Sequence, residues 1–234
     1  MRINKYIAQA GIASRRKADQ LIMSGNVKVN GAVMKEPGYD VADSDKVEVN
    51  GRLLGSPAKL EYVLINKPTG MVTTVSDDKD RLTVMEVVKD IDARLFPVGR
   101  LDYNTSGALL MTNDGEMAYK LTHPKHEVYK TYRARVAGVL SNEKVARLRK
   151  GVDIGGFVTS RAKVNVIKGN QHSTIVEISI HEGKNRQVRK MFAAVGNPVQ
   201  ELERTAIGEI RLGHLKPGHY RKLTREEIQY LRSV

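Results

Sequence analysis

The sequence predicts an α+β protein in two parts, a small N-terminal αα-ββ module and a larger domain with a mixed, mainly antiparallel sheet flanked by helices. Two near-identical segments, Val27-Lys28-Val29-Asn30-Gly31 and Val47-Glu48-Val49-Asn50-Gly51, alternate apolar and polar residues and close on Asn-Gly, a dipeptide typical of two-residue hairpin turns. After Glu61, strand signals outnumber what a doubly wound βαβ chain would supply. Neither Gly-x-Gly-x-x-Gly nor a Walker sequence occurs, which argues against the common nucleotide-cofactor folds. With 234 residues and 41% hydrophobic content, the chain is long enough to bury a sizeable core, so disorder is not expected.

In chain order, Ile3, Ile7 and Ala8 predict a short helix that Gly11 ends. Ser14 is placed to cap a second helix with Ala18, Leu21 and Ile22 on one face, and Gly25 terminates it. Arg15, Arg16 and Lys17 fall in the first turn of that helix, where cations oppose the helix dipole. Either they form a plain solvated charged face, or something other than helix stability keeps them there. The two hairpin strands complete the module, and the chain divides near 54–59, giving parts 1–58 and 59–234.

In the larger part, strands are expected at 62–67, 130–137, 162–167 and 174–181, and helices at 84–89, 116–121, 143–149 and 185–195. Thr224 with Glu227 forms a capping box for a last helix through Leu231.

Thirty-nine Lys and Arg against 26 Asp and Glu leave a net charge of +13, which favours a polyanionic partner. No apolar run approaches the ~18 residues that span a bilayer, and no continuous basic amphipathic helix carries an aromatic face. Nucleic acid is therefore the expected partner, and no membrane. Zero cysteines exclude disulfides, thiol nucleophiles and Cys-ligated metals, and agree with the cytoplasm. The six histidines share no ligand-like spacing with carboxylates, so no metal is expected. The first 18 residues are basic and free of acids, as in a transit peptide, but their periodicity runs unbroken into folded-looking sequence.

Three segments are candidates for chemistry. The loop Gly99-Arg100-Leu101-Asp102-Tyr103-Asn104-Thr105-Ser106-Gly107 lies between the apolar runs 95–98 and 108–111 and carries one carboxylate, Asp102. Its residues are also ordinary turn formers. In Lys130-Thr131-Tyr132-Arg133-Ala134-Arg135-Val136, Tyr132, Ala134 and Val136 alternate toward one face, making Tyr132 either a core residue or a ring on which a nucleobase stacks. In the segment 182–192, Val188, Met191, Phe192 and Val195 have the spacing of a packed helix face. Lys184, Arg186, Arg189 and Lys190 crowd the same turns with no acid among them, which calls for an RNA phosphate or Asp102 as counter-charge.

Asn4-Lys5-Tyr6-Ile7, the run from Ala13 to Ile22 and the run from Gly25 to Gly31 resemble the S4 domain, an αL-type RNA-binding module. That resemblance implies RNA contacts by Arg15, Arg16, Lys17 and Lys28. Asn66-Lys67-Pro68-Thr69-Gly70, the loop 99–107, Thr112-Asn113-Asp114-Gly115, Lys130-Thr131-Tyr132 and the run 182–191 occur in the order seen in pseudouridine synthases that modify bacterial ribosomal RNA, and the chain resembles that family.

The resemblance implies isomerisation of uridine to pseudouridine with Asp102 as the catalytic aspartate, as nucleophile or as base. Arg189 would pair with it, and Tyr132 would be the pocket tyrosine. Arg100 would fill the stack that the target base vacates, with Asn104, Thr105, Lys184 and Arg186 completing the substrate contacts. The reaction is redox-neutral and needs no cofactor. The implied partner of this expected monomer is 23S RNA, naked or in an assembling subunit, with 16S RNA or a non-catalytic rRNA-binding role as alternatives.

Overall fold

A computed structural model describes residues 1–55 and 58–234. The expected junction at 54–59 includes Ser56 and Pro57, which lie outside the described residues. The chain packs as two compact units, Met1–Glu61 with Asp92–Leu95, and Tyr62–Ile91 with Phe96–Val234.

The first unit contains α1 (Ile3–Gln9) and α2 (Arg15–Met23), followed by β1 (Val27–Val29), β2 (Ala32–Val33), β3 (Val47–Val49) and β4 (Arg52–Leu53). Ser14 caps α2 as expected, its hydroxyl accepting from the Lys17 amide at 3.2 Å. The strands pair antiparallel in the order β2-β1-β3-β4. Each outer hairpin turns on an Asn-Gly pair in the left-handed region, with φ of 52° and 83° at Asn30 and Gly31 and 50° and 77° at Asn50 and Gly51. Ile3, Ile7, Ala18, Ile22, Val27 and Val47 form the core, and Asn4 donates to Asp19 at 2.7 Å to tie α1 to α2.

The second unit begins with β5 (Tyr62–Lys67), a 3-10 helix at Val84–Val88, β6 (Phe96–Pro97), β7 (Ser106–Thr112) and α3 (Gly115–Thr122). It continues through β8 (Lys130–Ala137), α4 (Asn142–Lys150), β9 (Lys163–Gly169), β10 (Ser173–Ile180) and α5 (Gln187–Ala194). It ends with β11 (Val199–Ile207), β12 (Ile210–Arg211), β13 (Tyr220–Lys222) and α6 (Arg225–Ser233). One sheet runs β13-β5-β7-β11-β8-β10-β9, with β12 on β11 and β6 on β7. Its pairings are antiparallel except β7 with β11, which joins an antiparallel half on each side. Leu64, Leu110, Met117, Leu121 and Leu231 form one core, while Val136, Leu148, Ile178, Met191 and Phe192 form the other. The predicted mixed, mainly antiparallel sheet with flanking helices is therefore present.

Several details differ from the expectation. The helix expected at 84–89 is the 3-10 helix at Val84–Val88, opened by the Thr83 hydroxyl. The helix expected from 185 starts at Gln187, because Arg186 takes a left-handed φ of 53°. β7 and β11 gave no strand signal. β7 is buried on both faces and reads as an apolar run without alternation, while β11 carries Glu201, Glu203 and Arg204 and changes register twice against β8.

Gly107 marks the crossing of the two central strands. Its φ is 104°, and an added Cβ would strike the Arg204 carbonyl and lie 2.7 Å from the Arg204 nitrogen. Backbone strain and overpacking together put the cost of Gly107→Ala at roughly 2–5 kcal/mol. Denaturant unfolding is the check, and a variant as stable as the parent would show that the strands do not need this approach.

Candidate active site

The site grows from the end of β5. Asn66 and Lys67 close a strand whose six residues are all buried, and Lys67 is 0% exposed. A buried ammonium needs acceptors. Lys67 Nζ donates to the carbonyls of Pro68 at 3.0 Å, Asp102 at 3.2 Å and Thr105 at 2.9 Å. Burial lowers its pKa to about 8, with the Asp102 charge opposing that shift and Arg204 adding to it.

The turn that Lys67 grips is held from other directions too. The Thr105 amide donates to the Asp102 carbonyl at 3.0 Å, and the Gly70 amide to the Tyr103 carbonyl at 2.9 Å. Thr73 Oγ1 donates to the Leu101 carbonyl at 2.8 Å and accepts from the Leu101 amide at 3.2 Å. The loop is thus fixed through its backbone. No hydrogen bond or ion pair from the described residues engages the half-buried Asp102 carboxylate.

Asp102 lines a cleft of about 520 Å³ together with Arg100, Thr105, Tyr132, Lys184 and Arg186, six residues singled out from the sequence. Tyr132 sits on β8 directly opposite Arg204 of β11, and cross-strand partners share a face. Val98, Leu110, Ile180, Leu202 and Ile207 give the cleft an apolar lining, whereas Arg100, Lys184 and Arg186 are exposed. Asn104 joins through contacts, accepting from Arg186 Nη1 at 3.3 Å on its side chain and from Arg189 Nη2 at 2.7 Å on its carbonyl. Arg15, Arg16, Lys17 and Lys28 belong to the first unit, where all four are exposed.

The expected pairing of Arg189 with Asp102 takes a different form. Arg189 donates to the carbonyls of Asn104 and Val199, the latter at 3.3 Å, and no ion pair within 4 Å joins it to Asp102. The two still feel each other. Burial and Arg186 lower the Arg189 pKa while Asp102 raises it. Carbonyls and a ring face, not carboxylates, meet the cations of 184–189, since Lys184 Nζ lies 4.5 Å from the Phe157 ring centre.

Two cations of the cleft wall, Arg204 and Lys130, and one buried behind it, Lys67, carry no signal of a role in the sequence beyond a lysine that ends an otherwise apolar strand. Arg204 is 5% exposed, with Nε donating to the Ala108 carbonyl at 2.7 Å and Nη2 buried without a partner. Lys130, two residues before Tyr132 on the same strand, donates to the His181 carbonyl at 3.1 Å. Among the described residues no group of three or more His, Asp or Glu could hold a metal ion, and no helix is long and apolar enough to cross a membrane.

The cleft thus combines an exposed basic rim, an apolar wall, Tyr132 and two carboxylates, of which Glu182 accepts from Ser160 and Gln187 while Asp102 is left unengaged by the described residues, an arrangement suited to work on a nucleic-acid base. Residues 61–194 match the RNA pseudouridylate synthase family model and residues 1–47 match the S4 domain. The chain is 44% identical to the ribosomal large subunit pseudouridine synthase B of Bacillus subtilis, over 100% of this chain and 96% of that one. It is 40% identical to an RNA pseudouridine synthase of Aquifex aeolicus, over 99% and 93% of the two chains. A crystal structure of a pseudouridylate synthase superposes with a TM-score of 0.69 at 32% identity, covering 99% of both chains. The chain belongs to the RNA pseudouridylate synthase family, joined to an S4 RNA-binding domain, and is an isomerase acting on RNA.

Proposed function

We propose that this enzyme converts one uridine of large-subunit (23S) ribosomal RNA to pseudouridine in the cleft around Asp102. What carries the proposal is the Asp102 carboxylate, unengaged by the described residues in a cleft with Tyr132, while its backbone is held by Lys67 and the Thr105 amide. The target uridine leaves its helix and stacks on Tyr132. Asp102 then acts at the sugar, as nucleophile at C1′ or as base at C2′, so that the base detaches, turns and rejoins through C5. Arg189 holds the turn that carries the carboxylate by donating to the Asn104 carbonyl. Arg100, exposed on the rim, fills the vacated stack, while Asn104, Lys184 and Arg186, also exposed, hold the flanking nucleotides. Thr105, expected among these contacts, is 2% exposed and serves the turn instead through its backbone.

The choice of the large subunit is supported by the 44% identity, over the whole chain, to a protein named for that subunit. The reading takes the enzyme as a monomer acting in the cytoplasm, where its proposed ribosomal RNA substrate would be met. Residues 1–58 would dock the RNA and 59–234 perform the chemistry. The test is to incubate the protein with separate 23S and 16S transcripts and to map pseudouridine by carbodiimide-blocked primer extension. A new stop on the 23S transcript is expected. A stop on 16S alone would reassign the substrate, and no stop on naked RNA or on assembling particles would overturn the proposal.

The S4 residues make a separate prediction. Each phosphate contact contributes about one unit to the log-log slope of affinity against salt. Replacing Arg15 and Lys28 with alanine is therefore expected to weaken RNA binding and to flatten that slope by about 2. Filter binding across a salt series measures it, and an unchanged slope would remove these residues from the RNA interface.

A further inference from the structure

Lys130 is an expensive residue where it stands. Its ammonium is largely withdrawn from water beside Ile180, its partner across β10, with Leu202 and Ile207 in the same cleft wall. Its one hydrogen bond is to the His181 carbonyl, which leaves two N–H groups unused. The described residues place no carboxylate within 4 Å of it, and the charge it feels is that of the buried Arg204, whereas Lys130 itself is half-buried. Burial, with Arg204 adding to it, lowers its pKa to about 8. A half-buried cation beside a buried one, with no carboxylate at hand, weakens the fold unless a ligand supplies the missing charge.

We propose that Lys130 is a further catalytic residue, whose ammonium binds a carbonyl oxygen of the target uracil and stabilises the negative charge the base carries while detached from ribose. This role rests on reading the cleft around Asp102 as the active site. Lys130 and Tyr132 are i and i+2 on β8 and share a sheet face, so a uracil stacked on the tyrosine has its edge within reach of the lysine's four-carbon stem. When C1′–N1 breaks, its electron pair moves onto the uracil and spreads over N1, O2 and O4. Meanwhile C1′ is bonded to the Asp102 carboxylate, or, with Asp102 as base, C2′ has given it a proton. After the base turns, C5 supplies the pair for the C5–C1′ bond as the C1′–Asp102 bond breaks or the proton returns to C2′, the C5 proton leaves and N1 takes one up. A fixed cation at O2 or O4 strengthens its interaction as that charge develops. A backbone phosphate is the poorer ligand, because exposed Arg100, Lys184 and Arg186 already serve the rim and the surroundings of Lys130 are apolar.

The test compares Lys130→Met with the parent in single-turnover isomerisation, RNA affinity and thermal melting. The rate is expected to fall about 100-fold or more, the size of effect seen when one donor to a developing anion is removed. RNA affinity should stay within about threefold, and the melting temperature should hold or rise because a costly buried charge has gone. In Lys130→Ala, added ethylammonium should restore rate in proportion to its concentration, and propanol should not. A Lys130→Met rate near the parent's would overturn the proposal. So would a lost affinity with a shallower salt slope, which marks a phosphate contact, or a lowered melting temperature without amine rescue, which marks a structural role. Full activity of Asp102→Asn would show instead that the site itself has been misread.

Discussion

Asp102→Asn is expected to abolish uridine isomerisation while leaving RNA affinity within a few fold of the parent. The substitution keeps the shape of the side chain and removes the charge. The backbone contacts that hold the turn, from Lys67, Gly70 and the Thr105 amide, do not involve the carboxylate and remain in place. A missing general base alone costs roughly 10²–10⁴-fold in rate, and a missing nucleophile leaves no route to a covalent intermediate. Binding is spread over the exposed rim and the S4 domain, neither of which changes. Single-turnover assays with quantitative pseudouridine mapping, beside filter binding, measure both quantities. An active Asn variant would remove Asp102 from the chemistry, and a large loss of affinity would make it a binding residue.

Lys67→Met is expected to lower activity by about 100-fold or more, although Lys67 touches the catalytic loop only through its backbone. A displacement of roughly 1 Å at the reacting group is enough for a loss of that size. Methionine fills most of the space but leaves the carbonyls of Pro68 and Thr105 without the donor they have now, while the Asp102 carbonyl keeps the Thr105 amide. Each orphaned acceptor costs about 1–3 kcal/mol. Release of a buried charge offsets part of that, so a net destabilisation of about 1–3 kcal/mol is expected by denaturant unfolding.

The pH dependence gives a second signature. Lys67 and Lys130 lose their protons near pH 8 in the folded protein, against an ordinary value of 10.5. Between those values the unfolded chain binds more protons, so stability rises with pH. The rise is clearest below pH ~10, above which tyrosines with raised pKa values, such as Tyr62, begin to oppose it. In Lys67→Met the rise should shrink by the share that Lys67 contributes. A variant with parental activity and an unchanged pH profile would contradict the account of the loop.

Most of the first unit was legible because its signals are local. Ser14 caps within three residues, and each Asn-Gly pair sets its own turn through left-handed backbone, so helix, stop and hairpin need no distant partner. The cleft was legible residue by residue. Asp102, Tyr132, Arg100 and Lys184 stood in recognisable segments, and the alternation along β8 already put Tyr132, Ala134 and Val136 on one face. What they face was not legible. The parallel pairing of β7 with β11 joins residues 106–107 to 203–204, and no local pattern encodes a contact across that separation.

A basic chain with an S4 module, an ordered set of synthase motifs, and a single carboxylate in a polar loop between apolar runs can all be read from the residues in order. These follow from residue type and near-neighbour spacing, which act along the chain. It took the folded arrangement to show that Lys67 holds that loop by its carbonyls, that Arg189 meets backbone rather than the Asp102 carboxylate, and that the half-buried Lys130 and the buried Arg204 line one cleft. Burial and counter-charge depend on which strands become neighbours, and here the central crossing at Gly107 and Arg204 brings them together.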